Sequence, residues 1–260
     1  METALIEKAI QGDREAFAEL HAPLEQPLAA FLYRMVAVRL DAEDLAQETA
    51  LAALESIADF PNGQSFRTWI FRIAASRALE YLNGRKPWDP DALIRAGENP
   101  AIRNRLKQLH KSAPCTTYNL REHIDFCFAY MCRTLPAGER AALLLADVHG
   151  FGAEETAQTL GITAQLVRFR VRQARETLAG QYGSHCSLVN KNGCCTQCAR
   201  FDMMLYAERK HTEQAFFAVE LGGGLEPRLA LVRAIDPLRA EGARLHESLM
   251  SFTREVSGYW

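Results

Sequence analysis

Residues 152–178 (GAEETAQTLGITAQLVRFRVRQARETL) constrain the fold of this chain more than any other stretch. At about 100° per residue, Val167, Val171, Ala174 and Leu178 line one side of a helix and form an apolar stripe. Gln165, Arg168, Arg172 and Arg175 fall within about 60° of Arg168 and form a polar, basic face. Gly161 supplies a turn ahead of this helix, Ile162 packs beneath it, and Thr163 is placed to cap its N-terminus. Ala157 is small enough for the preceding helix to approach closely. Turn, cap, stripe and basic face agree on a helix-turn-helix. Its second helix would offer its first side chains to base edges and its later arginines to phosphates. Thr163, Gln165, Arg168, Arg172 and Arg175 are therefore candidate DNA contacts. The competing reading is an amphipathic helix with a solvated basic face.

Upstream, two neighbouring stretches carry opposite charge. Residues 41–59 (DAEDLAQETALAALESIAD) hold six acidic residues and no Lys or Arg. Residues 64–86 (QSFRTWIFRIAASRALEYLNGRK) hold five basic residues against one acid, interleaved with Phe66, Trp69, Phe71 and Tyr81. Phe66, Trp69 and Ile73 stand at helical spacing and read as core. Arg67, Arg72, Arg77, Arg85 and Lys86 are either a solvated face or a grip on nucleic acid. In the acidic helix, Asp44, Gln47, Glu48 and Leu51 stand at i, i+3, i+4 and i+7, while Leu45, Thr49 and Leu54 face inward. An apolar side chain exposed among acids suits a protein-binding face, and a solvated acidic face is the alternative. Asp13 is an expected cap for the helix holding Phe17 and Leu20, and Asp41 an expected cap for the acidic helix. Asn119 and Glu122 have capping-box spacing ahead of a helix carrying Ile124, Cys127, Met131 and Leu135. No strand alternation of useful length occurs, so the expected fold is all-α.

At 260 residues and 48% hydrophobic, the chain suits two small domains better than one large one. A net charge of −2 gives no global pull towards nucleic acid, so DNA affinity has to come from the local basic patches. No apolar run reaches membrane-spanning length, and METALIEKAIQGD lacks a signal-peptide core, so a cytoplasmic protein that does not engage the membrane is expected. Its seven cysteines are then expected as reduced thiols or metal ligands. No Ser/His/Asp set, paired carboxylates or glycine-rich phosphate loop appears, and the chain is not expected to be an enzyme.

In this order, the motifs resemble the extracytoplasmic-function group of sigma-70-type RNA polymerase sigma factors. DAEDLAQETALAAL is similar to the family's core-binding helix, SFRTWIFRIAASRALEYL to its minus-ten promoter helix, and LPAGERAALLLADVHGFGAEETAQTLGITAQLVRFRVRQARETL to its minus-thirty-five reader. The resemblance implies two helical sigma domains, residues 1–87 and 119–181, joined by a linker over 88–118 and followed by a tail over 182–260. It implies a sigma factor that binds core RNA polymerase and directs promoter-specific initiation, with no cofactor required. Asp44, Gln47, Glu48 and Leu51 would bind the clamp helices of the polymerase's largest subunit. Arg67, Arg72, Arg77, Arg85 and Lys86 would grip the melted strand, and Arg168, Arg172 and Arg175 would dock the upstream element. This chain has Ala75–Ser76 where many relatives carry Arg-Asn, and Asn83–Gly84 where they run through several arginines. Fewer phosphate contacts follow. An anti-sigma protein is a candidate partner, and the tail itself is an alternative regulator.

Within the tail, HCSLVNKNGCCTQC spaces Cys186, Cys195 and Cys198 as Cys-x8-Cys-x2-Cys around an Asn192–Gly193 turn. A CxxC pair with a third thiolate is three-quarters of a tetrahedral zinc site, for which His185, Cys194 or His211 could be the fourth ligand, although adjacent His185 and Cys186 do not easily bind one ion together. A thiol redox switch and incidental packing are the other readings of the same residues. Cys127 and Cys132 read as core. The rival for the whole chain is a stand-alone helix-turn-helix regulator with a metal- or redox-sensing cysteine tail.

Overall fold

The computed structural model describes residues 2–61, 63–102, 104, 108, 120–186, 189–190, 192–193, 225–239 and 243–257. Every extended element of regular structure among them is helical. In chain order these are α1 (Glu2–Ile10), α2 (Arg14–Val36), α3 (Arg39–Ser56), α4 (Phe66–Tyr81), α5 (Ala92–Glu98), α6 (Leu120–Arg133), α7 (Ala137–Leu143), α8 (Ala153–Leu160), α9 (Ala164–His185), α10 (Leu225–Ala234) and α11 (Ala243–Ser257). They form two compact units that interleave along the chain: Met1–Arg85 with Ala137–Arg172, and Lys86–Pro136 with Gln173–Trp260.

The first unit is built from α1–α4, α7, α8 and the start of α9. Asp13 caps α2 as expected, its Oδ1 accepting from the Glu15 and Ala16 amides at 2.9 and 3.1 Å. Helix α2 continues through Pro23 and Pro27, each of which removes a backbone donor, and ends with Ala37 in the left-handed region (φ 56°). That early reversal starts α3 at Arg39, so Asp41 lies inside the first turn and is not the cap. Val38 takes the cap position without a side-chain bond, and the Asp41 carboxylate accepts from the Tyr81 hydroxyl of α4 instead. Ala42, Leu45, Thr49 and Ala53 form the buried stripe of α3, with Leu54 half-buried, and Thr49 returns its hydroxyl to the Leu45 carbonyl at 2.7 Å. Ser65 caps α4, accepting from the Thr68 amide at 3.1 Å. Phe66, Trp69 and Phe71 of α4 are core: Phe66 meets Phe17 edge-on at 5.9 Å, and Trp69 meets Phe60 at 5.3 Å. Small residues Ala74, Ala75 and Ala78 complete its buried face. Helix α7 gives way to a π-helical turn over Leu144–Val148, which leads into α8.

In the second unit, α10 and α11 both pack on α6, and α11 also packs on α5. Part of the segment expected as linker is buried here: Trp88, Ala92 and Ile102 are core residues. The Trp88 amide donates to the Arg133 carbonyl at 2.8 Å, and the Arg133 guanidinium lies 4.9 Å from the indole centroid. Phe126 stacks on His246 at 5.0 Å, with His123 5.7 Å from His246. Met131, Leu135 and Cys132 are buried as expected and Cys127 is half-buried. On α11, Leu249 and Phe252 are buried. Asn119 and its capping box lie outside the described residues.

Burial pushes three histidine rings down, His123 and His149 to about 3 and His246 to about 4. Each is neutral when folded and takes up a proton more readily once exposed. Their contribution to stability is complete above pH ~6.5 and is lost as pH falls towards 3–4, by about 1.4 kcal/mol per pH unit per group. Thermal unfolding should therefore move to lower temperature between pH 7 and pH 5, and His246→Phe should flatten that dependence. A melting temperature that rises on acidification over this range would contradict the assignment.

Candidate functional site

The helix-turn-helix forms as its residues dictate. Gly161 adopts the left-handed conformation (φ 64°) that closes α8, and the Ile162 amide returns to the Ala157 carbonyl at 3.1 Å. Thr163 caps α9 twice, its hydroxyl accepting from the Leu166 amide at 3.2 Å and its carbonyl from the Val167 amide at 3.0 Å. Glu155 turns back to accept from the Gly152 amide at 2.8 Å, fixing the start of α8. Val167, Ala174 and Leu178 are buried and Val171 is half-buried, while Thr163, Gln165, Arg168, Arg172 and Arg175 are all exposed. Arg168 stands 3.6 Å from Glu154 in an exposed pair that adds little stability and yields readily to a stronger anion. Phe169 stays 47% exposed beside this face, with the Arg172 guanidinium 5.7 Å from its ring.

On α3, Asp44, Gln47, Glu48 and Leu51 are exposed opposite the buried Ala42–Leu45–Thr49–Ala53 stripe. Leu40 belongs to the same face, one turn before Asp44, and sequence reasoning missed it. Its signal was available, an apolar residue at i−4 from the first acid of the stripe. Among the described residues the exposed large apolar side chains are Ile10, Leu40, Leu51 and Phe169, at 37%, 66%, 59% and 47%. Three of these four, Leu40, Leu51 and Phe169, lie on or beside the two candidate binding faces.

The basic residues of the α4 region separate into distinct environments. Arg72 is exposed on α4, and Arg85 and Lys86 are exposed beyond its end, with the Arg85 guanidinium 4.1 Å from the Tyr81 ring. Arg77 faces Glu48 of α3 at 3.6 Å, linking a candidate DNA contact to a candidate protein contact. Arg67 is placed differently. Its guanidinium donates to the His149 carbonyl and lies 3.9 Å from the Phe151 ring centroid. Desolvation there lowers its pKa against the opposing pull of Glu155.

The cysteine set is only partly visible. Cys186 is half-buried at the end of α9, where its Sγ accepts from the Arg228 guanidinium at 3.2 Å. Cys194, Cys195, Cys198 and His211 lie outside the described residues. His185 is engaged with Asp91 at 2.7 Å. No three His, Cys, Asp or Glu among the described residues are grouped to hold a metal ion. The turn expected at Asn192–Gly193 is tied by Asn190, whose carbonyl accepts from the Gly193 amide at 2.7 Å and whose side chain accepts from the Asn192 amide at 3.0 Å.

The Sigma-70 region 2 family model matches residues 20–87, and the Sigma-70 region 4 model matches residues 126–178. The chain is 31% identical over 177 residues to an ECF RNA polymerase sigma-E factor of Haemophilus influenzae, covering 67% of this chain and 92% of that protein. It is 28% identical over 176 residues to the RNA polymerase sigma-H factor of Pseudomonas aeruginosa, covering 67% and 90%. In fold it is similar to CnrH, solved in complex with the cytosolic domain of CnrY, with a TM-score of 0.50 and 23% identity over 69% of this chain and 95% of that one. The chain belongs to the extracytoplasmic-function group of sigma-70-type sigma factors. No helix among the described residues is long and apolar enough to cross a membrane.

The two sides of α9 should respond differently to substitution. Val167→Asp places a charge where the native side chain is 1% exposed and should destabilise the helix-turn-helix by several kcal/mol. Arg168→Ala should leave stability within about 0.5 kcal/mol of wild type. Equal losses from the two in thermal melts would mean that the helix is rotated from this placement.

Proposed function

We propose that this chain is a sigma factor that binds core RNA polymerase through the exposed face of α3 and places α4 and α9 on the two elements of a promoter. The observation that carries this reading is the pairing of two faces on separate helices. One is acidic with exposed leucines and unsuited to DNA; the other is basic, capped and aimed outward at the start of a recognition helix. Acids beside phosphates repel, so Asp44 and Glu48 belong against protein, with Leu40 and Leu51 supplying apolar contact area. Gln165, Arg168 and Arg172 have the reach and chemistry for base edges and phosphates, and Phe169 can meet a thymine methyl. Arg72, Arg77, Arg85 and Lys86 then follow the strand held along α4. The chain supplies recognition and leaves the chemistry of RNA synthesis to the polymerase. The tail cysteines Cys186, Cys195 and Cys198 are proposed as a zinc site within this reading, which requires Cys186 to exchange Arg228 for the metal. Zinc analysis of untagged protein, with Cys195→Ser/Cys198→Ser as comparison, tests it: near-stoichiometric zinc lost in the variant supports the site, and its absence from wild type ends it.

Reversing charge with Asp44→Lys/Glu48→Lys should abolish co-purification with core polymerase while far-UV circular dichroism stays unchanged, since both side chains are exposed. Arg168→Ala and Arg172→Ala should each weaken promoter use by roughly 1–3 kcal/mol where they contact bases, with polymerase binding retained. A double variant that still co-purifies would place the polymerase contact elsewhere.

A further inference from the structure

Phe169 is the exposed phenylalanine among the described residues, at 47%, and it stands on the recognition helix α9. At about 100° per residue it points about 160° away from Val167, which is 1% exposed, so the interior of the helix-turn-helix has no place for its ring. Arg170, the next residue, also marks the inner side of the helix. Its guanidinium lies over Gly138 of α7, where an added Cβ would come within 2.9 Å of it. Gln165 lies one turn before Phe169 and Arg172 one turn after, at the i−4 and i+3 spacings that make neighbours on a helix surface. Both are exposed, and the Arg172 guanidinium lies 5.7 Å from the ring centroid. The ring therefore sits in line with two side chains whose chemistry suits base edges and phosphates.

Arg168 and Arg172 beside the ring match a polyanion, which makes duplex DNA a better occupant of this face than an apolar protein groove. Among the base edges of the major groove, the 5-methyl group of thymine is the apolar one. We propose that Phe169 reads that methyl group and so makes thymine the preferred base at one step of the upstream promoter element. The inference rests on the sigma-factor reading and deepens it with a base preference for α9. A methyl contact has a consequence that a hydrogen bond lacks. Deoxyuridine keeps every hydrogen-bonding group of thymine and loses the methyl. 5-Methylcytosine carries the methyl at the same ring position in a different base pair. Phe169 therefore discriminates thymine from deoxyuridine, and 5-methylcytosine from cytosine, by similar factors, about fourfold for one methyl group taken out of water.

The test uses the full chain with core polymerase on a promoter from which the pair initiates. Each thymine of the upstream element, on either strand, is replaced in turn by deoxyuridine, and the sensitive position is then filled with cytosine or 5-methylcytosine. Wild type should lose initiation about fourfold at one deoxyuridine and regain a similar factor from cytosine to 5-methylcytosine. Phe169→Ser, which alters an exposed residue and should keep its helix by circular dichroism, should treat each pair of bases alike. The proposal is overturned if no thymine is sensitive to loss of its methyl, or if Phe169→Ser keeps the discrimination. A variant weakened equally on all four bases would also overturn it, since the ring would then meet something other than the methyl. The same ratios are expected in low-salt binding of the free chain to upstream-element duplex. Absence of transcripts from every template would therefore strike the sigma-factor reading alone, and the binding ratios would still decide the methyl contact.

Discussion

Phe71 is the side chain on which the first unit turns. It lies on α4 and meets Phe31 of α2 together with His149 and Phe151, which lead into the helix-turn-helix; Phe31 and His149 are themselves 5.7 Å apart, so the rings form one cluster. The same helix therefore completes the N-terminal bundle and provides the surface on which residues 149–151 are seated. The helix-turn-helix has a small apolar interior of its own, and the shared ring buries area that neither part could bury alone. Around it, Arg34 and Arg67 lie near a histidine ring that burial holds neutral. A protonated His149 would be a third positive charge there, so the packing favours the neutral ring.

Much of this was legible in the sequence where local chemistry decides structure. Gly161, Thr163 and the spacing of Val167, Ala174 and Leu178 specify the turn, the cap and the buried side of α9 without reference to distant residues. Asp13 caps α2 through the amides of Glu15 and Ala16, two and three residues on, so its role is set by local sequence. Asp41 was legible as an acid near a helix start but not in its role, because its partner is Tyr81, forty residues away, and because the left-handed turn at Ala37 brings the helix start forward. Residues 88–118 read as linker because the stretch that holds Trp88, Ala92 and Ile102 mixes Pro, Gly and charge without a long helical period. Those three residues are buried by long-range packing that periodicity does not encode.

The candidate surfaces divide in the same way. The exposed faces of α3 and α9 follow from amphipathic patterning, and only Leu40 had to be added from the structure. Arg67 shows the limit of such patterning, since a basic residue on a basic helix looks equally suited to DNA or to a neighbouring aromatic ring. Here the Phe151 ring and the His149 carbonyl hold it. His149 itself carried no sequence signal, because a single histidine between helices gains meaning only from what surrounds it.

A chain of net charge −2 with exposed acids on α3 and arginines on α9 is built to bind DNA as part of a larger assembly. Transcription from genomic fragments by core polymerase, with and without this chain at physiological salt, tests that claim most directly. The account predicts discrete transcripts from defined start sites only when the chain is present, with weak and salt-sensitive binding of the free chain to the same fragments. Tight, sequence-specific duplex binding by the free chain, with no change in the transcripts made by core polymerase, would contradict it and point to a stand-alone regulator.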